Sequence, residues 1–378
     1  MKTEKVRLGI IGLGGIGIQH YRNATKNLKA KASVTAVCDK NPKRFDEIEN
    51  GILRFSSSKE LIRSKDVDGV IISTPHYSHS TIGSEALESG LHVLVEKPVS
   101  VHKIECEKLI QAYKQRAQEN LVFAAMFNQR TDPMYLHIRD MLKKGELGEL
   151  RRMNWIITDW FRTEHYYKSC GWRATWKGEG GGILLNQCPH QLDLIWWLFG
   201  SPSKVWAECR FGQWHDIEVE DDVTALLTFP NGATLCFNTT TGETPGTNRL
   251  EIVGDHGTLV ADKTGLYFNK NQVPISVFNL TSKELFSKPP TDFNTFNIER
   301  TGDQHSQVLE NFCDAILNNT SLIAPAYEGI HSVELANSML LSTFMKQTIT
   351  LPLDGKIYWD YLQKRIAGSR FSESNNQN

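Results

Sequence analysis

A glycine-rich turn between a predicted strand and a predicted helix constrains the fold of this chain more than any other feature. Residues 6–11 are a short apolar, β-branched run, typical of a parallel strand that is buried on both faces. The run leads into Gly12-Leu13-Gly14-Gly15-Ile16-Gly17, and the polar–apolar pattern of residues 19–28 indicates a helix. Such glycines allow a tight turn, a close backbone approach to a pyrophosphate and close helix–strand packing. The pattern predicts the start of a dinucleotide-binding Rossmann domain.

An acidic residue after the second predicted strand supports this interpretation. The strand at residues 34–38 ends in Asp39, about 20 residues beyond the last glycine, where a carboxylate can bind the ribose hydroxyls. The same carboxylate would repel a 2′-phosphate, so the sequence favours NAD over NADP. Lys40 weakens this preference without overturning it.

The alternation of strands and helices continues to residue 127. A strand at 67–73 is followed by Thr74-Pro75-His76, and a strand at 92–95 ends in Glu96-Lys97-Pro98. Cofactors bind at the carboxyl ends of parallel strands. Besides the residues of the glycine turn, the candidate cofactor-binding residues are therefore Asp39, Lys40, Thr74, Pro75, His76, His79, Glu96 and Lys97. For His76 and His79 the alternative is that they cap the next helix.

The second part of the chain has the pattern of an antiparallel sheet. Predicted strands at 151–160, 204–211, 223–229, 233–240 and 249–253 follow a helix at 133–144, and Pro230-Asn231-Gly232 is a hairpin signal. Two helices at 304–318 and 328–347 complete it, whereas residues 270–300 are predicted to be an irregular segment or exposed loop. The fold class is α/β, with a Rossmann domain at 1–127 and a substrate-binding domain at 128–370.

A histidine and a lysine are the candidate catalytic residues. His190 follows Gly180-Gly181-Gly182 and lies near the first turn of a predicted helix. A free lysine titrates near ~10.4, so Lys97 would need a pKa drop of about 3 units, roughly 4 kcal/mol, to act as a base at neutral pH. A free histidine, at about 6.5, needs almost none. We therefore predict His190 as general base and Lys97 as the cation that stabilises a developing alkoxide.

Aromatic and charged residues between 155 and 176 predict a substrate-facing segment. Aromatic rings stack on the C–H faces of sugars, while arginine and amide groups bind hydroxyls. The candidate substrate-binding residues are Asn186, Trp172, Arg173, Tyr167 and Arg130. The alternative is that these aromatics pack the sheet and that the charges are solvated.

Composition limits the possible partners. The chain has 378 residues, 40% hydrophobic and 22% charged, with a formal net charge of −1, so no basic field for nucleic acid is expected. No run is long enough for a membrane span, and the seven cysteines lack paired or zinc-like spacing. A cytoplasmic protein with reduced thiols is expected. His190 and Asp193 could imitate a metal pair, but no third ligand is visible, so we predict no metal site.

These motifs, taken together, resemble the Gfo/Idh/MocA family of oxidoreductases. The matching residues are the glycine turn, Asp39, Thr74-Pro75, the stretch from Gly90 to Pro98, and Gly180-Gly181-Gly182 with His190 and Asp193. The resemblance implies a second domain with a large, mostly antiparallel open sheet that often mediates assembly, hence a homodimer or homotetramer. It also implies sugar, cyclitol or glycoside substrates. One position departs from the family: many members carry Asp where this chain has Asn186.

Two other functions are compatible with the same motifs. Some relatives of this family cleave glycosides by transient oxidation, with the cofactor recycled. A sensor that binds the dinucleotide but has lost catalysis is the second alternative, although the presence of both Lys97 and His190 argues against it.

Overall fold

The computed structural model describes residues 5–116, 118–299 and 302–371, which contain two β-sheets. The first sheet has six strands, all parallel, in the order β3-β2-β1-β4-β5-β6. They are β1 Val6–Ile11, β2 Ala32–Cys38, β3 Leu53–Phe55, β4 Gly69–Ile72, β5 His92–Val95 and β6 Phe123–Ala125. The strand order reverses between β1 and β4, and ligands of such sheets bind at this point. The predicted Rossmann sheet is confirmed.

Helices connect these parallel strands, as a right-handed crossover requires. They are α1 Gly15–Asn27, α2 Ser58–Arg63, α3 Ser78–Glu88 and α4 Lys103–Lys114. The interior strand β4 is buried at all of its positions, which explains why its sequence is an unbroken apolar run.

The second sheet has nine strands in the order β14-β13-β12-β11-β7-β10-β9-β8-β15. They are β7 Leu150–Ile157, β8 Lys204–Phe211, β9 Glu220–Thr228, β10 Thr234–Thr240, β11 Asn248–Gly254, β12 Gly257–Asp262, β13 Gly265–Asn271, β14 Thr291–Phe296 and β15 Ile349–Thr350. Only β7 and β10 pair in parallel, so the prediction of a mostly antiparallel sheet is confirmed.

One face of this second sheet is covered and the other is exposed. Along β8, Val205, Ala207 and Cys209 are buried, whereas Trp206 is 42% exposed. Trp206 pairs in register with Leu226 of β9, which is also exposed. Assembly through this open face stays a prediction.

The remaining helices belong to the second part of the chain. They are α5 Pro133–Lys143, α6 Glu164–Lys168, α7 Pro189–Phe199, α8 Ile275–Thr281, α9 Gln304–Asn318, α10 Ile330–Met345 and α11 Gly355–Ala367. In the part of the chain that the structure describes, none of these helices is both long and apolar enough to cross a membrane. All seven cysteines are free thiols.

The prediction of an irregular segment at 270–300 is wrong in part, because its described residues include α8 and β14. The strand β14 lies at the edge of the sheet, and five of its six residues are exposed. An edge strand that buries neither face carries no alternation of apolar and polar residues, so the sequence showed no strand pattern there. Residue 300 lies outside the described part.

The chain returns to the Rossmann sheet after leaving it. Val308, Leu309 and Phe312 of α9 belong to the same apolar core as Leu8 and Ile10 of β1. The division of the chain into two domains after residue 127 stays a prediction. The structure adds that α9, which lies far beyond residue 127, packs into the core of the first sheet.

Candidate active site

The glycine turn holds the start of α1 against the end of β4. Gly12 has a positive φ of 93°, and a Cβ at this position would lie 2.7 Å from the main-chain oxygen of Ser73. A Cβ on Gly17 would lie 1.9 Å from the main-chain oxygen of Gly12, so neither position accepts a side chain. By contrast, a Cβ on Gly14 or Gly15 would meet no described atom within 4 Å. Gly14 is the N-cap of α1 without a side-chain cap, and the free N–H groups of this turn therefore face open space that fits a pyrophosphate.

Asp39 lies beside this turn at the end of β2. Its carboxylate accepts hydrogen bonds from the main-chain N–H groups of Leu13 at 2.7 Å and Asn41 at 2.8 Å. Two backbone contacts hold the acid in place, and its remaining lone pairs fit the ribose hydroxyls of NAD. The neighbouring predicted residues are accessible, since Lys40 is exposed and Ile16 is half-buried in the first turn of α1.

The loop after β4 has mixed roles. Pro75 is exposed, and the Thr74 hydroxyl accepts a hydrogen bond from Ser78 at 2.7 Å. His79 is buried, with Nδ1 2.8 Å from the oxygen of Pro98 and Nε2 2.7 Å from that of Thr74. The prediction that His79 binds the cofactor or caps the helix needs correction. Because both ring nitrogens face backbone carbonyls, the side chain instead joins two loops of the cleft.

His76 faces the glycine-rich segment of the second part of the chain. It is buried, its Nδ1 lies 3.2 Å from the main-chain oxygen of Glu179, and Trp172 packs edge-on against its ring. Burial, together with the charges of His79 and Lys97, lowers the pKa of His76 well below its usual value. His76 is therefore a neutral contact between the Rossmann loop and the glycine-rich segment of the second part.

Lys97 reaches from the end of β5 to this second part. Its Nζ donates a hydrogen bond to the main-chain oxygen of Asn186 at 2.8 Å. Burial lowers the pKa of Lys97, although the carboxylates of Glu96 and Glu179 partly restore it. The lysine is thus a half-buried cation held by the chain segment just before His190.

The Glu96 carboxylate accepts a hydrogen bond from the main-chain N–H of Lys97 at 3.1 Å and also binds a residue that the sequence analysis missed. His20 of α1 is fully buried, and its Nε2 lies 2.6 Å from the Glu96 carboxylate. Burial of Glu96 opposes ionisation, but the hydrogen bond and charge of His20, with the charge of Lys97, outweigh it and lower the pKa of Glu96 to about 2. Glu96 is therefore an ionised counter-charge behind Lys97.

His190 is the second residue of α7, which begins at Pro189. Its ring packs edge-on against Phe127 at 6.3 Å between centroids. Its Nδ1 is buried and has no hydrogen-bond partner among the described residues. Burial, and then the charge of Lys97, lower the pKa of His190 to about 3, so the ring is neutral at physiological pH. Lys97 contributes to the lowered pKa of His190, and the residue that it contacts, Asn186, lies four residues before His190.

Asn186 joins these groups to a buried acid. Its Nδ2 donates a short hydrogen bond to Glu179, which also accepts the main-chain N–H of Ala174 at 2.5 Å. Glu179 is 1% exposed, and burial raises its pKa to about 7, against the opposing effect of Arg173. The sequence analysis missed Glu179. The sequence feature that could have identified it is an acidic residue inside the glycine run at 178–182.

The predicted substrate segment divides into an accessible and a buried part. Arg173 stacks on the rings of Trp172 and Tyr166, at 4.8 and 4.5 Å from their centroids, and donates to the Tyr166 hydroxyl at 2.7 Å. Tyr167, in contrast, is buried, and its hydroxyl lies 2.8 Å from that of Thr241. Tyr167 is therefore corrected from a substrate-binding candidate to a core residue of the second sheet.

Arg130 also needs correction. It is 1% exposed, and its guanidinium donates to both oxygens of Asp193 at 2.8 and 2.6 Å and to Glu328 at 2.5 Å. These ion pairs occupy the donors that a substrate would need. They also engage both oxygens of Asp193. Among the described residues, no group of three or more His, Cys, Asp and Glu residues could hold a metal ion.

Two family models match the chain on either side of this cleft. The model described as an oxidoreductase family with an NAD-binding Rossmann fold matches residues 6–123. The GFO/IDH/MocA C-terminal domain matches residues 135–260. This chain belongs to the Gfo/Idh/MocA family of oxidoreductases. The glycine turn and Asp39 fit the family's cofactor, NAD.

Individual relatives in the Gfo/Idh/MocA family align over nearly the whole chain. Inositol 2-dehydrogenase from Rhizobium meliloti is 22% identical over 355 residues, which cover 92% of this chain and 99% of the relative. The uncharacterized oxidoreductase YrbE from Bacillus subtilis is 24% identical over 367 residues, which cover 94% and 99%. The WlbA dehydrogenase from Bordetella pertussis, solved with NADH and UDP-GlcNAcA, has a TM-score of 0.77 at 22% identity and covers 93% of this chain and 100% of its own. The structural likeness supports the same two-sheet fold.

Proposed function

We propose that this protein oxidises a secondary hydroxyl of a sugar, cyclitol or glycoside, with NAD as the hydride acceptor. The observation that carries the proposal is the contact of Lys97 with the main-chain oxygen of Asn186, four residues before His190, in a chain whose glycine turn leaves open space for the cofactor's pyrophosphate. Alcohol oxidation needs a proton acceptor and a positive charge near the same carbon, and this cleft contains both.

His190 is the proposed proton acceptor. Its ring is neutral because burial and Lys97 disfavour the imidazolium, and its Nδ1 has no hydrogen-bond partner among the described residues. The low pKa of about 3 belongs to the free site. As the substrate oxygen gains negative charge, that charge stabilises the imidazolium, so His190 takes the proton in step with loss of the hydride.

Lys97 is the proposed stabiliser of the alkoxide. Its ammonium is held by the main-chain oxygen of Asn186 and is not neutralised by direct contact with a carboxylate among the described residues. Preorganised charge in a site with little water stabilises a developing negative charge strongly. Bound NAD supplies the hydride acceptor, and the residues described here position the hydroxyl and receive its proton.

The polyhydroxylated substrate class has separate support. Trp172 and Arg173 lie on one stacked surface next to the cleft, and such surfaces bind the C–H faces and hydroxyls of sugars. Inositol 2-dehydrogenase and WlbA, whose names and ligands concern a cyclitol and a nucleotide sugar, are similar to this chain.

The test is NADH formation with myo-inositol, D-glucose, methyl β-D-glucopyranoside and UDP-GlcNAcA, with NADP in place of NAD as comparison. We expect net NADH with at least one of them. Release of methanol from the glucoside without net NADH would favour glycoside cleavage by transient oxidation. NAD binding without turnover of any compound would favour the sensor.

Variants of the two catalytic candidates test the assigned roles. His190→Ala should lower kcat by about 10²–10⁴-fold with little change in NADH affinity, because only proton transfer is removed. Lys97→Met should lower kcat at every pH, whereas Lys114→Met, at an exposed position of α4, is the matched control. Equal losses of turnover and cofactor affinity in His190→Ala would contradict its role. If Lys97→Met only shifts the pH optimum, Lys97 is the titrating base.

A further inference from the structure

A buried carboxylate stands behind the residue that contacts Lys97. Glu179 lies inside the glycine run, is 1% exposed, and accepts hydrogen bonds from the Asn186 side chain and the Ala174 main chain. Its own main-chain oxygen lies 3.2 Å from Nδ1 of His76. Glu179 therefore touches the substrate segment, the catalytic segment and the Rossmann loop at once.

This contact determines which atoms Asn186 presents. The Nδ2 group is used by Glu179, and the main-chain oxygen is used by Lys97. The side-chain oxygen is the group left to accept a hydrogen bond from a substrate hydroxyl. Rotation of the amide by half a turn would place oxygen against carboxylate, which is repulsive. Glu179 thus orients Asn186 and, through its backbone, the ammonium of Lys97.

The same contact favours an amide over a carboxylate at position 186. An Asp there would place two carboxylates in contact in a buried site, and one of them would have to bind a proton. The amide avoids this conflict and keeps one negative charge in the cluster.

We propose that Glu179 is a positioning residue of this site, and that it supplies, seven residues earlier in the chain, the carboxylate that orients Asn186. It acts through Asn186 and does not itself touch the substrate. The inference rests on the proposed oxidation of a hydroxyl.

The proposal implies a pH dependence. Glu179 faces Arg173 of the substrate segment, Lys97 after β5, Glu220 of β9 and Tyr167 of α6, and its main-chain oxygen faces His76. Burial raises its pKa to about 7 despite the positive charges. Protonation removes one of the acceptors that hold Asn186 and Ala174. We therefore expect kcat to rise as pH increases through about 7 and this limb to disappear in Glu179→Gln.

A carboxylate exchange tests the pairing directly. Glu179→Gln and Asn186→Asp are nearly isosteric, and each should lower kcat for the fastest substrate of the panel by about tenfold or more. The double variant moves the carboxylate to position 186 and places an amide behind it. Its kcat should be at least tenfold higher than that of the Asn186→Asp single variant. Additive losses in the double variant would overturn the inference, as would a pH limb that persists in Glu179→Gln. If the wild type shows no turnover with any panel member, the proposed function fails instead.

A second measurement does not depend on turnover. Burial raises the pKa values of both Glu179 and Glu220 to about 7, so the infrared C=O bands of two protonated carboxyls should titrate near pH 7 in the wild-type protein, and Glu179→Gln should remove one of them. Asn186→Ala, which keeps the acid but removes its donor, should move the Glu179 titration to higher pH. If neither band moves in Asn186→Ala, the two side chains do not interact, and this comparison does not need a folded Glu179→Gln protein.

Discussion

The two sides of the cleft are built differently. On the cofactor side, the contacts involve the backbone of neighbouring parts of one sheet, as where Gly12 approaches the main chain of Ser73 or where the Asp39 carboxylate accepts from the Leu13 N–H. On the substrate side, buried charges from distant parts of the chain face each other. The cofactor side can therefore be recognised from short motifs, whereas the substrate side depends on pairings that no short motif contains.

The difference also concerns energy. A glycine turn needs only the absence of side chains, whereas a buried carboxylate needs a partner that offsets its lost hydration. Glu179 and Glu220 meet this need with hydrogen bonds from amide or main-chain N–H groups, and Asp193 meets it with an arginine. The substrate side is therefore where single substitutions should affect stability and pH dependence together.

Arg130→Met should have the largest effect on stability. It leaves Asp193 buried without its cation, and breaking such a pair costs about 3–5 kcal/mol. The matched control is Arg139→Met, because Arg139 stacks on Trp197 at 3.8 Å and has no ion pair among the described residues. Urea unfolding measures both. A stable Arg130→Met protein with only a raised KM would return Arg130 to the substrate-binding residues.

Glu220→Gln should change how stability depends on pH. Burial raises the pKa of Glu220 to about 7, so between its unfolded value near 4.5 and about 7 the folded protein binds more protons than the unfolded chain. Stability therefore falls as pH rises through this window, by on the order of 2–3 kcal/mol for this group. One carboxylate oxygen accepts from Gly182 and Leu184, and the other has no hydrogen-bond partner among the described residues, so an amide fits.

The measurement is the free energy of unfolding at about pH 5 and about pH 8. Glu220→Gln should lose less stability at the higher pH than the wild type, whereas Glu208→Gln, at an exposed position of β8, should follow the wild type. Parallel curves for all three proteins would mean that Glu220 is ionised throughout.

Two glycine substitutions on the cofactor side should have smaller and opposite effects. Gly17→Ala places a Cβ against the Gly12 carbonyl and should cost about 1–3 kcal/mol of stability. Gly15→Ala meets open space at the first residue of α1 and should stabilise the free protein by up to about 1 kcal/mol. It should also weaken NADH binding, because the methyl group enters the space assigned to the pyrophosphate. Unchanged NADH affinity in Gly15→Ala would contradict that assignment.

The two errors on the substrate side have one cause. Tyr167 and Arg130 have the side-chain chemistry of sugar-binding residues, and nothing in the local sequence distinguishes them from Trp172 and Arg173. Tyr167 is buried because Thr241, the residue after β10, lies opposite, and Arg130 because α7 brings Asp193 against it. Both partners are more than 60 residues away in the chain.

The sequence by itself determined the parallel sheet, the glycine turn with Asp39, and the strands and helices whose apolar residues repeat at a regular period. These features follow from backbone sterics and local burial, which act over a few residues. Only the tertiary structure decided that Glu179 lies behind Asn186, that Asp193 binds Arg130 and that α9 returns to the first sheet. A buried charge is stable beside any suitable partner, and which partner it meets depends on how distant segments pack.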